Sequence, residues 1–340
     1  MSDCNFSRIV SPFTATSEAL ADGETLKIRR STVKEGKLLS FTCDIDAIGD
    51  GKILIGHGYN VSCGSWLEID SNTVGSYSFY SWRDPQRVVS IEPVPHEIAI
   101  SGFLTVSIKV NHAKKEVFAV ICSSGGMYKL ELRGWSGCEG EIFVMPVGCV
   151  LKNCKLNWYS ERYASRIWLF GDSYLSFPDP ARWPSYLFRD GYADNLLIAG
   201  FSGMPTQRGL EEFKMAIEKG TPEFVVWCLG MNNGDNRETG AINQGWLDST
   251  KEFLEICKER GITPILSTIP NTPKVYNQPK NDWVIASGYR YVDFNRAVGA
   301  DKDENWYPEM LFTDKVHPMR RGAEALYSQV LVDFPEIMQN

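Results

Sequence analysis

A serine, a histidine and an aspartate in the second half of the chain have the residue types and spacings that acyl transfer requires. Ser173 follows Gly171 and Asp172 at the end of an apolar run, where a tight turn would present its hydroxyl at a sheet edge. His317 is the only histidine of this half, and therefore the local candidate for a neutral base. Asp314 precedes it by three residues, so its carboxylate can contact one ring nitrogen while the other nitrogen faces a hydroxyl. These residues predict nucleophilic catalysis by a serine.

The pattern of the second half predicts the sheet that would position these residues. Five apolar runs of the buried-strand type begin there, at Ile167, Leu196, Phe224, Ile265 and Tyr291. Segments with the helical spacing of apolar residues lie between several of them. Because alternating strands and helices are typical of a doubly wound parallel sheet, we predict an α/β catalytic domain over residues 161–340. Its active site is expected at the carboxyl ends of the strands.

The first half has a different rhythm and predicts an antiparallel β-sandwich over residues 1–160. Short segments such as 39–45 and 103–110 alternate apolar and polar residues, as half-buried strands do. Clusters of Gly, Ser, Asn and Asp interrupt these segments at short intervals. We therefore expect an accessory domain of the jelly-roll or lectin-like kind.

Four blocks of the second half resemble the SGNH hydrolase superfamily, also called the GDSL family, over roughly residues 164–335. The blocks are Gly171-Asp-Ser173, a glycine at Gly203, Gly230-Met-Asn-Asn233 and Asp314-Lys-Val-His317. They occur in the order of the family, and three of them fall at predicted strand ends. The resemblance implies a flavodoxin-like doubly wound sheet and a serine esterase.

The resemblance also implies a role for each site residue. Ser173 would attack the acyl carbon, His317 would carry its proton to the leaving alcohol, and Asp314 would hold the imidazole in the useful tautomer. The oxyanion would be bound by the backbone N–H groups of Ser173 and Gly203 and by the side-chain amide of Asn232.

The chain departs from the family pattern at two positions. Tyr174 stands where the family has the leucine of its common name, a position that varies. Asn233 replaces the acidic residue of the third block, which leaves open how the loop that carries Asn232 is supported. Asp172 is expected to make local turn hydrogen bonds, so it is not the triad acid.

The predicted substrate is a small acyl ester, most simply an acetyl ester, on a carbohydrate or glycoside. No long apolar lid follows the site blocks, and the whole chain resembles two-domain carbohydrate esterases with an N-terminal sandwich. Arg182, Trp183 and Met231 are the candidate substrate-binding residues, although Trp183 is equally compatible with a place in the core. A small molecule or an oligosaccharide ester is therefore the expected partner.

Two alternatives remain open at this point. The first is a lysophospholipase, thioesterase or aryl esterase on the same scaffold, and the second is a non-catalytic carbohydrate-binding protein. The sandwich would either shape the cleft of the catalytic domain or bind glycan itself. The aromatic candidates for glycan binding are Trp66, Trp82 and Trp135.

The composition restricts the classes of binding partner and the cellular compartment that we expect. A net charge of −7 without a basic stripe argues against nucleic acid and anionic membrane. Nine cysteines in an odd, irregular set are expected to be reduced core residues of a cytoplasmic protein, since no signal peptide is visible. We expect no metal and no cofactor, and the sequence leaves the oligomeric state open.

Overall fold

A computed structural model describes ten stretches of the chain: residues 14–28, 37–59, 63–80, 88–111, 116–133, 141–175, 182–193, 196–200, 202–299 and 305–339. The chain divides into two compact units, Met1–Glu161 and Arg162–Asn340. Trp82 and Trp135, two of the predicted glycan-binding residues, lie outside the described residues.

The first unit is built from antiparallel strands. They are β1 (Thr14–Leu20), β2 (Leu26–Ile28), β3 (Lys37–Ile45), β4 (Lys52–Tyr59), β5 (Cys63–Ile69), β6 (Thr73–Tyr80), β7 (Val88–Pro95), β8 (Gly102–Asn111), β9 (Glu116–Ser123), β10 (Gly126–Arg133), β11 (Glu141–Val147) and β12 (Leu151–Ser160). Six form a sheet in the order β1-β12-β3-β8-β9-β10, and the other six form a sheet in the order β2-β11-β4-β5-β6-β7. Two such sheets are compatible with the predicted sandwich.

Alternating burial explains why these segments are strands. In β3 every second side chain is fully or almost fully buried, namely Leu39, Phe41, Cys43 and Ile45. A strand with one buried face has this period of two. Trp66 is only half buried and stacks on Tyr77 with ring centroids 5.9 Å apart.

The second unit contains a parallel sheet with helices between its strands. The strands are β13 (Ile167–Gly171), β14 (Leu196–Gly200), β15 (Phe224–Cys228), β16 (Thr263–Ser267) and β17 (Tyr291–Val292). The helices are α1 (Pro184–Arg189), α2 (Thr206–Ala216), α3 (Gln244–Arg260), α4 (Gln278–Ala286), α5 (Phe294–Ala297) and α6 (Arg320–Asp333). The predicted parallel sheet is confirmed, with all four of its ladders parallel.

Burial on both faces accounts for the central strands, since every residue of β13, β14 and β15 is buried. Parallel strands covered by helices are expected to be continuously apolar in this way. Helices α2 and α3 cover one face through an aromatic cluster, in which Trp227 stacks on Phe253 at 4.2 Å and Phe213 contacts both. Among the described helices, none is long and apolar enough to cross a membrane.

The strand order β14-β13-β15-β16-β17 determines where a site can form. In order of appearance in this unit it is 2-1-3-4-5, the flavodoxin-like arrangement, whose crevice opens beside the first strand at the carboxyl ends. The segments that follow β13, β14 and β15 therefore meet at one edge of the sheet. These segments carry Ser173, Gly203 and Asn232.

Candidate active site

The nucleophile turn follows β13 and depends on two glycines. A Cβ atom on Gly171 would stand 2.3 Å from the side chain of Leu175, and one on Gly200 would stand 2.7 Å from the carbonyl oxygen of Gly171. Both positions therefore need glycine for the turn over residues 172–175 to pack against β14. This turn holds Ser173, which is only 4% exposed.

The histidine loop brings the three predicted catalytic residues together. Ser173 Oγ lies 2.9 Å from His317 Nε2, and His317 Nδ1 lies 2.7 Å from Asp314 Oδ2. Because an ionised carboxylate only accepts hydrogen bonds, Nδ1 carries the proton and Nε2 is free to accept the serine proton. The arrangement is that of a charge-stabilised general base facing a nucleophile.

Asp314 organises its own loop as well as the imidazole. Its Oδ1 accepts hydrogen bonds from the backbone N–H groups of Val316 and His317, each at 2.9 Å. Partial burial by itself would raise the pKa of the Asp314 carboxyl. The hydrogen bonds from His317 and Val316 outweigh burial, so the pKa lies below its usual value. Asp314 is therefore ionised near neutral pH, as its contact with His317 Nδ1 requires.

Tyr174 connects the nucleophile turn to the histidine loop. Its hydroxyl donates a hydrogen bond to the carbonyl oxygen of Val316 at 2.5 Å, and its ring lies 6.1 Å from the His317 ring. Tyr174 therefore anchors Val316, the residue before His317. This contact could not be predicted from local sequence patterns, because the two residues are 142 positions apart.

The two further oxyanion candidates lie on neighbouring loops. The side-chain amide of Asn232 donates a hydrogen bond to the carbonyl oxygen of Met204, 3.1 Å away and next in sequence to Gly203. An amide group has two N–H donors, and this contact uses one of them. Gly203 has φ +75°, a conformation that favours glycine, and open space lies where its Cβ would stand. Both positions are exposed to solvent.

Asn233 supports the Asn232 loop, at the position where the SGNH pattern has an acidic residue. Its Oδ1 accepts hydrogen bonds from the backbone N–H and the hydroxyl of Thr206, at 2.8 and 2.9 Å. Its amide group donates to Gln207 Oε1 at 2.9 Å. The side-chain oxygen thus accepts hydrogen bonds from the first residue of α2, as a carboxylate oxygen would. These hydrogen bonds also connect the loop after β15 to the loop after β14.

Asp172 has a structural position rather than a catalytic one. Its buried carboxylate accepts a hydrogen bond from the backbone N–H of Tyr174 at 3.1 Å, as expected for the turn, and another from Met231. Burial raises the pKa of Asp172 to about 6, although these hydrogen bonds and the charge of Arg182 act in the opposite direction. Asp172 therefore joins the nucleophile turn to the loop after β15.

A buried lysine, which the sequence did not indicate, holds the same loop from the other side. The side chain of Lys280 is completely buried, and its ammonium group donates hydrogen bonds to the carbonyl oxygens of Gly230 and Asn233. Its nearest carboxylate oxygen, on the equally buried Asp235, is 3.7 Å away. The two hydrogen bonds of Lys280 therefore hold the segment that carries Asn232 on both sides.

The three predicted substrate-binding residues have different surroundings. Trp183 is fully buried and packs against Phe294 with ring centroids 5.7 Å apart, so its assignment to a substrate cleft is wrong and its place is the core. Arg182 is half buried, and its positive charge acts to lower the pKa of Asp172. Met231 is buried but contributes to the lining of a cavity beside Asn232. For Arg182 and Met231, contact with substrate stays a prediction.

Comparisons with known proteins give a likeness of fold. No family model and no curated protein matches the chain. Among solved structures, a GDSL-like lipase from Bacteroides thetaiotaomicron VPI-5482 is 18% identical, with 52% of this chain and 88% of that chain covered and a TM-score of 0.39. A carbohydrate esterase family 3 protein from Talaromyces cellulolyticus is 16% identical, with 52% and 97% covered and a TM-score of 0.40.

A third solved structure gives a likeness of the same kind. The psychrotrophic esterase EstA from Pseudoalteromonas sp. is 15% identical, with 51% of this chain and 98% of that chain covered and a TM-score of 0.39. These likenesses reach about half of the chain, at identities too low to transfer an activity or a substrate. The chemistry proposed for the site therefore rests on its own geometry.

Among the described residues, no three His, Cys, Asp or Glu side chains are grouped as metal ligands would be.

The oxyanion role predicted for Asn232 implies a selective kinetic defect. We expect Asn232→Ala to lower kcat by about 10²-fold or more with little change in KM, because the donor acts on charge that develops only in the transition state. Steady-state kinetics on a soluble ester measures both constants. Asn232→Asp, which keeps the size but lacks the N–H donor, is expected to show the same loss. A kcat within threefold of wild type in both variants would remove Asn232 from this role.

Proposed function

We propose that the chain is a serine esterase that hydrolyses a small acyl group, in particular acetyl, from a carbohydrate or glycoside. The observation that carries the proposal is the continuous hydrogen-bonded series from Ser173 Oγ through His317 to Asp314, at 2.9 and 2.7 Å. Nucleophile, base and orienting group stand within hydrogen-bond reach of one another, as acyl transfer through a covalent intermediate requires.

The proposed reaction has two half-reactions. Ser173 Oγ attacks the ester carbonyl while His317 Nε2 takes its proton, and the imidazolium returns this proton to the leaving alcohol. The acyl group is then attached to Ser173 as an ester. Water attacks that ester with His317 again as the base, and the carboxylic acid leaves. Asp314 stabilises the imidazolium in both halves, and Asn232 donates to the oxyanion.

The surroundings of Asn232 support a polar alcohol group over a long alkyl chain. The cavity beside it is about 400 Å³ in volume, within the ordinary size of small-ligand sites. Its lining is mostly polar or charged, with Asn232, Arg237, Lys274 and Tyr276 among the residues. A sugar hydroxyl can form hydrogen bonds with polar atoms of this lining, whereas an alkyl chain would displace water from them without replacing its hydrogen bonds.

The test is a panel of esters. p-Nitrophenyl esters of C2 to C12 acids and a set of acetylated sugars are incubated with the protein, and product release is followed for each. We expect the C2 ester to be cleaved with the highest kcat/KM and acetate to be released from the sugars. A preference for the longer acids with untouched sugars would instead indicate a lysophospholipase or thioesterase. Absence of any turnover would indicate a binding protein.

A further inference from the structure

One contact of the site joins the chain neighbours of the nucleophile and of the base. Tyr174 follows Ser173 directly, and Val316 precedes His317 directly. The Tyr174 hydroxyl donates a hydrogen bond to the carbonyl oxygen of Val316 at 2.5 Å, while His317 Nε2 lies 2.9 Å from Ser173 Oγ. The two hydrogen bonds therefore close a ring that contains both reacting side chains.

The peptide group between Val316 and His317 is held at both of its polar atoms. Its carbonyl oxygen accepts from Tyr174, and its N–H, which belongs to His317, donates to Asp314 Oδ1 at 2.9 Å. Because a peptide group is planar, fixing both polar atoms fixes the orientation of the plane. The Cα atom of His317 lies in that plane, so the point from which the imidazole side chain starts is fixed as well.

The conformation of this loop is not one that local preference alone would hold. Lys315, between Asp314 and Val316, has φ +64°, in the left-handed region that residues with a side chain rarely adopt. Such a residue persists where the surrounding contacts hold the backbone in place. The hydrogen bond from Tyr174 is a contact of this kind, and it comes from the nucleophile turn itself.

The Tyr174 side chain is suited to act as a fixed donor. It is only 5% exposed, and the backbone N–H of Tyr174 donates to Asp172 Oδ1 at 3.1 Å. Its ring lies 6.1 Å from the His317 ring. Burial, together with the charge of Asp172, raises the pKa of the Tyr174 hydroxyl above its usual value. The hydroxyl therefore keeps its proton near neutral pH and remains a donor.

We propose that Tyr174 is a positioning residue for the base: its hydroxyl holds the peptide group before His317 so that Nε2 stays within hydrogen-bond reach of Ser173 Oγ. The tyrosine acts through the imidazole and transfers no proton itself. The proposal rests on the proposed function, because the position of the base matters for activity only if Ser173 is the nucleophile. It makes the nucleophile turn the element that sets the position of its own base.

The first test is kinetic. Tyr174→Phe removes only the hydroxyl and keeps the ring beside His317. We expect kcat to fall by about tenfold or more with a smaller change in KM, because a displaced base affects the transition state more than substrate binding. Tyr327→Phe is the matched control, since Tyr327 lies on α6 and its hydroxyl donates to Asp190 Oδ2 at 2.6 Å. It removes the same atom and a comparable hydrogen bond, and its kcat is expected to be unchanged.

A measurement on the imidazole itself does not depend on turnover. The chain has four histidines, so nitrogen NMR of protein with isotope-labelled histidine gives few resonances, and His317→Ala identifies those of His317. The Nε2 resonance of the neutral ring reports the hydrogen bond that this atom accepts, and Ser173→Ala gives its value without that bond. We expect Tyr174→Phe to move the resonance toward the Ser173→Ala value and Tyr327→Phe to leave it unchanged.

The two readouts separate the positioning role from the esterase activity. A moved Nε2 resonance in Tyr174→Phe, in a protein that hydrolyses no ester of the panel, would sustain the positioning role and reject the esterase. Ester hydrolysis with the same kcat and the same Nε2 resonance in wild type and Tyr174→Phe would sustain the esterase and overturn the positioning role. Equal losses of kcat in Tyr174→Phe and Tyr327→Phe would also overturn it, because the effect would then be a general one on folding.

Discussion

Replacing Ser173 with alanine is expected to lower kcat by about 10⁴-fold or more while leaving the protein folded. The loss is large because the serine, His317 and Asp314 act as one unit, and only transition-state binding by the oxyanion donors remains without the nucleophile. The hydroxyl takes part in one described hydrogen bond, to His317. Its removal should therefore change the free energy of unfolding by only about 1 kcal/mol.

Covalent labelling makes this prediction specific to one residue. An activated serine Oγ attacks the phosphorus of diisopropyl fluorophosphate and displaces fluoride, with net release of HF. Peptide mass spectrometry then locates the diisopropyl phosphoryl group on the serine. We expect the label on Ser173 in wild type and in Ser328→Ala, a variant with the same atoms removed from the exposed face of α6. Ser173→Ala should remain unlabelled. Activity within tenfold of wild type in Ser173→Ala, or a label elsewhere, would contradict the serine mechanism.

The sequence indicates which residues form the candidate catalytic set, but it does not indicate the contacts that hold them in place. Asp314 and His317 are three positions apart, so their contact depends on a single loop, and Ser173 follows a strand whose apolar run is plain. In such short-range patterns, the spacing along the sequence largely determines which residues can come into contact. The parallel sheet was predicted for the same reason, from apolar runs that alternate with segments of helical spacing.

The supporting contacts were missed because they join distant parts of the chain. Tyr174 contacts Val316 across 142 positions, and Lys280 contacts Asn233 across 47. Helix α4, which carries Lys280, has almost no amphipathic pattern in its sequence Gln278–Ala286, and a lysine is ordinarily predicted to be exposed. Only the fold shows that this lysine has carbonyl partners in the interior.

Trp183 is a case in which the sequence suggested a substrate contact for a residue that packs in the core. A tryptophan soon after the nucleophile suits a substrate wall or a core position equally well, because its ring is large and apolar with one polar atom. Packing against Phe294 decides for the core. Asn233 shows a third case, in which an amide in place of an acid retains the accepting oxygen that the first turn of α2 needs.

Replacing Lys280 with methionine is expected to destabilise the second unit by about 3–5 kcal/mol. The change leaves the Asp235 carboxylate buried without a positive charge and the carbonyl oxygens of Gly230 and Asn233 without their donor. Urea denaturation followed by tryptophan fluorescence measures the loss. Lys251→Met, at an exposed position of α3, is the matched control and should lie within about 0.5 kcal/mol of wild type.

A double variant tests whether the buried charge causes the loss. Asp235→Asn removes the carboxylate charge but keeps an oxygen for the N–H of Asn243, which donates to it at 2.7 Å. Combined with Lys280→Met, it is expected to restore more than half of the lost stability, since no uncompensated ion remains. If the double variant is as unstable as the sum of the two single changes, the charge pair is not the source.

The pH dependence of stability offers an independent readout of the same lysine. Burial lowers the pKa of Lys280 from 10.5 to about 8, while the neighbouring Asp235 acts in the opposite direction. Between pH 8 and 10.5 the unfolded chain therefore binds more protons at this residue than the folded chain does. Its contribution to the free energy of unfolding rises with pH across that window and is lost as the pH falls through 8. Lys280→Met should lack this rise.

The catalytic consequence of Lys280→Met follows from the loop that the lysine holds. Gly230 and Asn233 flank Asn232, so loss of their common donor lets the oxyanion amide move from its position. Measured where the variant is still folded, kcat should fall by about tenfold with a smaller change in KM, since misplacement affects the transition state most. Because Lys280 acts through Asn232, adding Asn232→Ala should lower kcat further by much less than it does in wild type. Fully multiplicative losses would show that the lysine affects only folding.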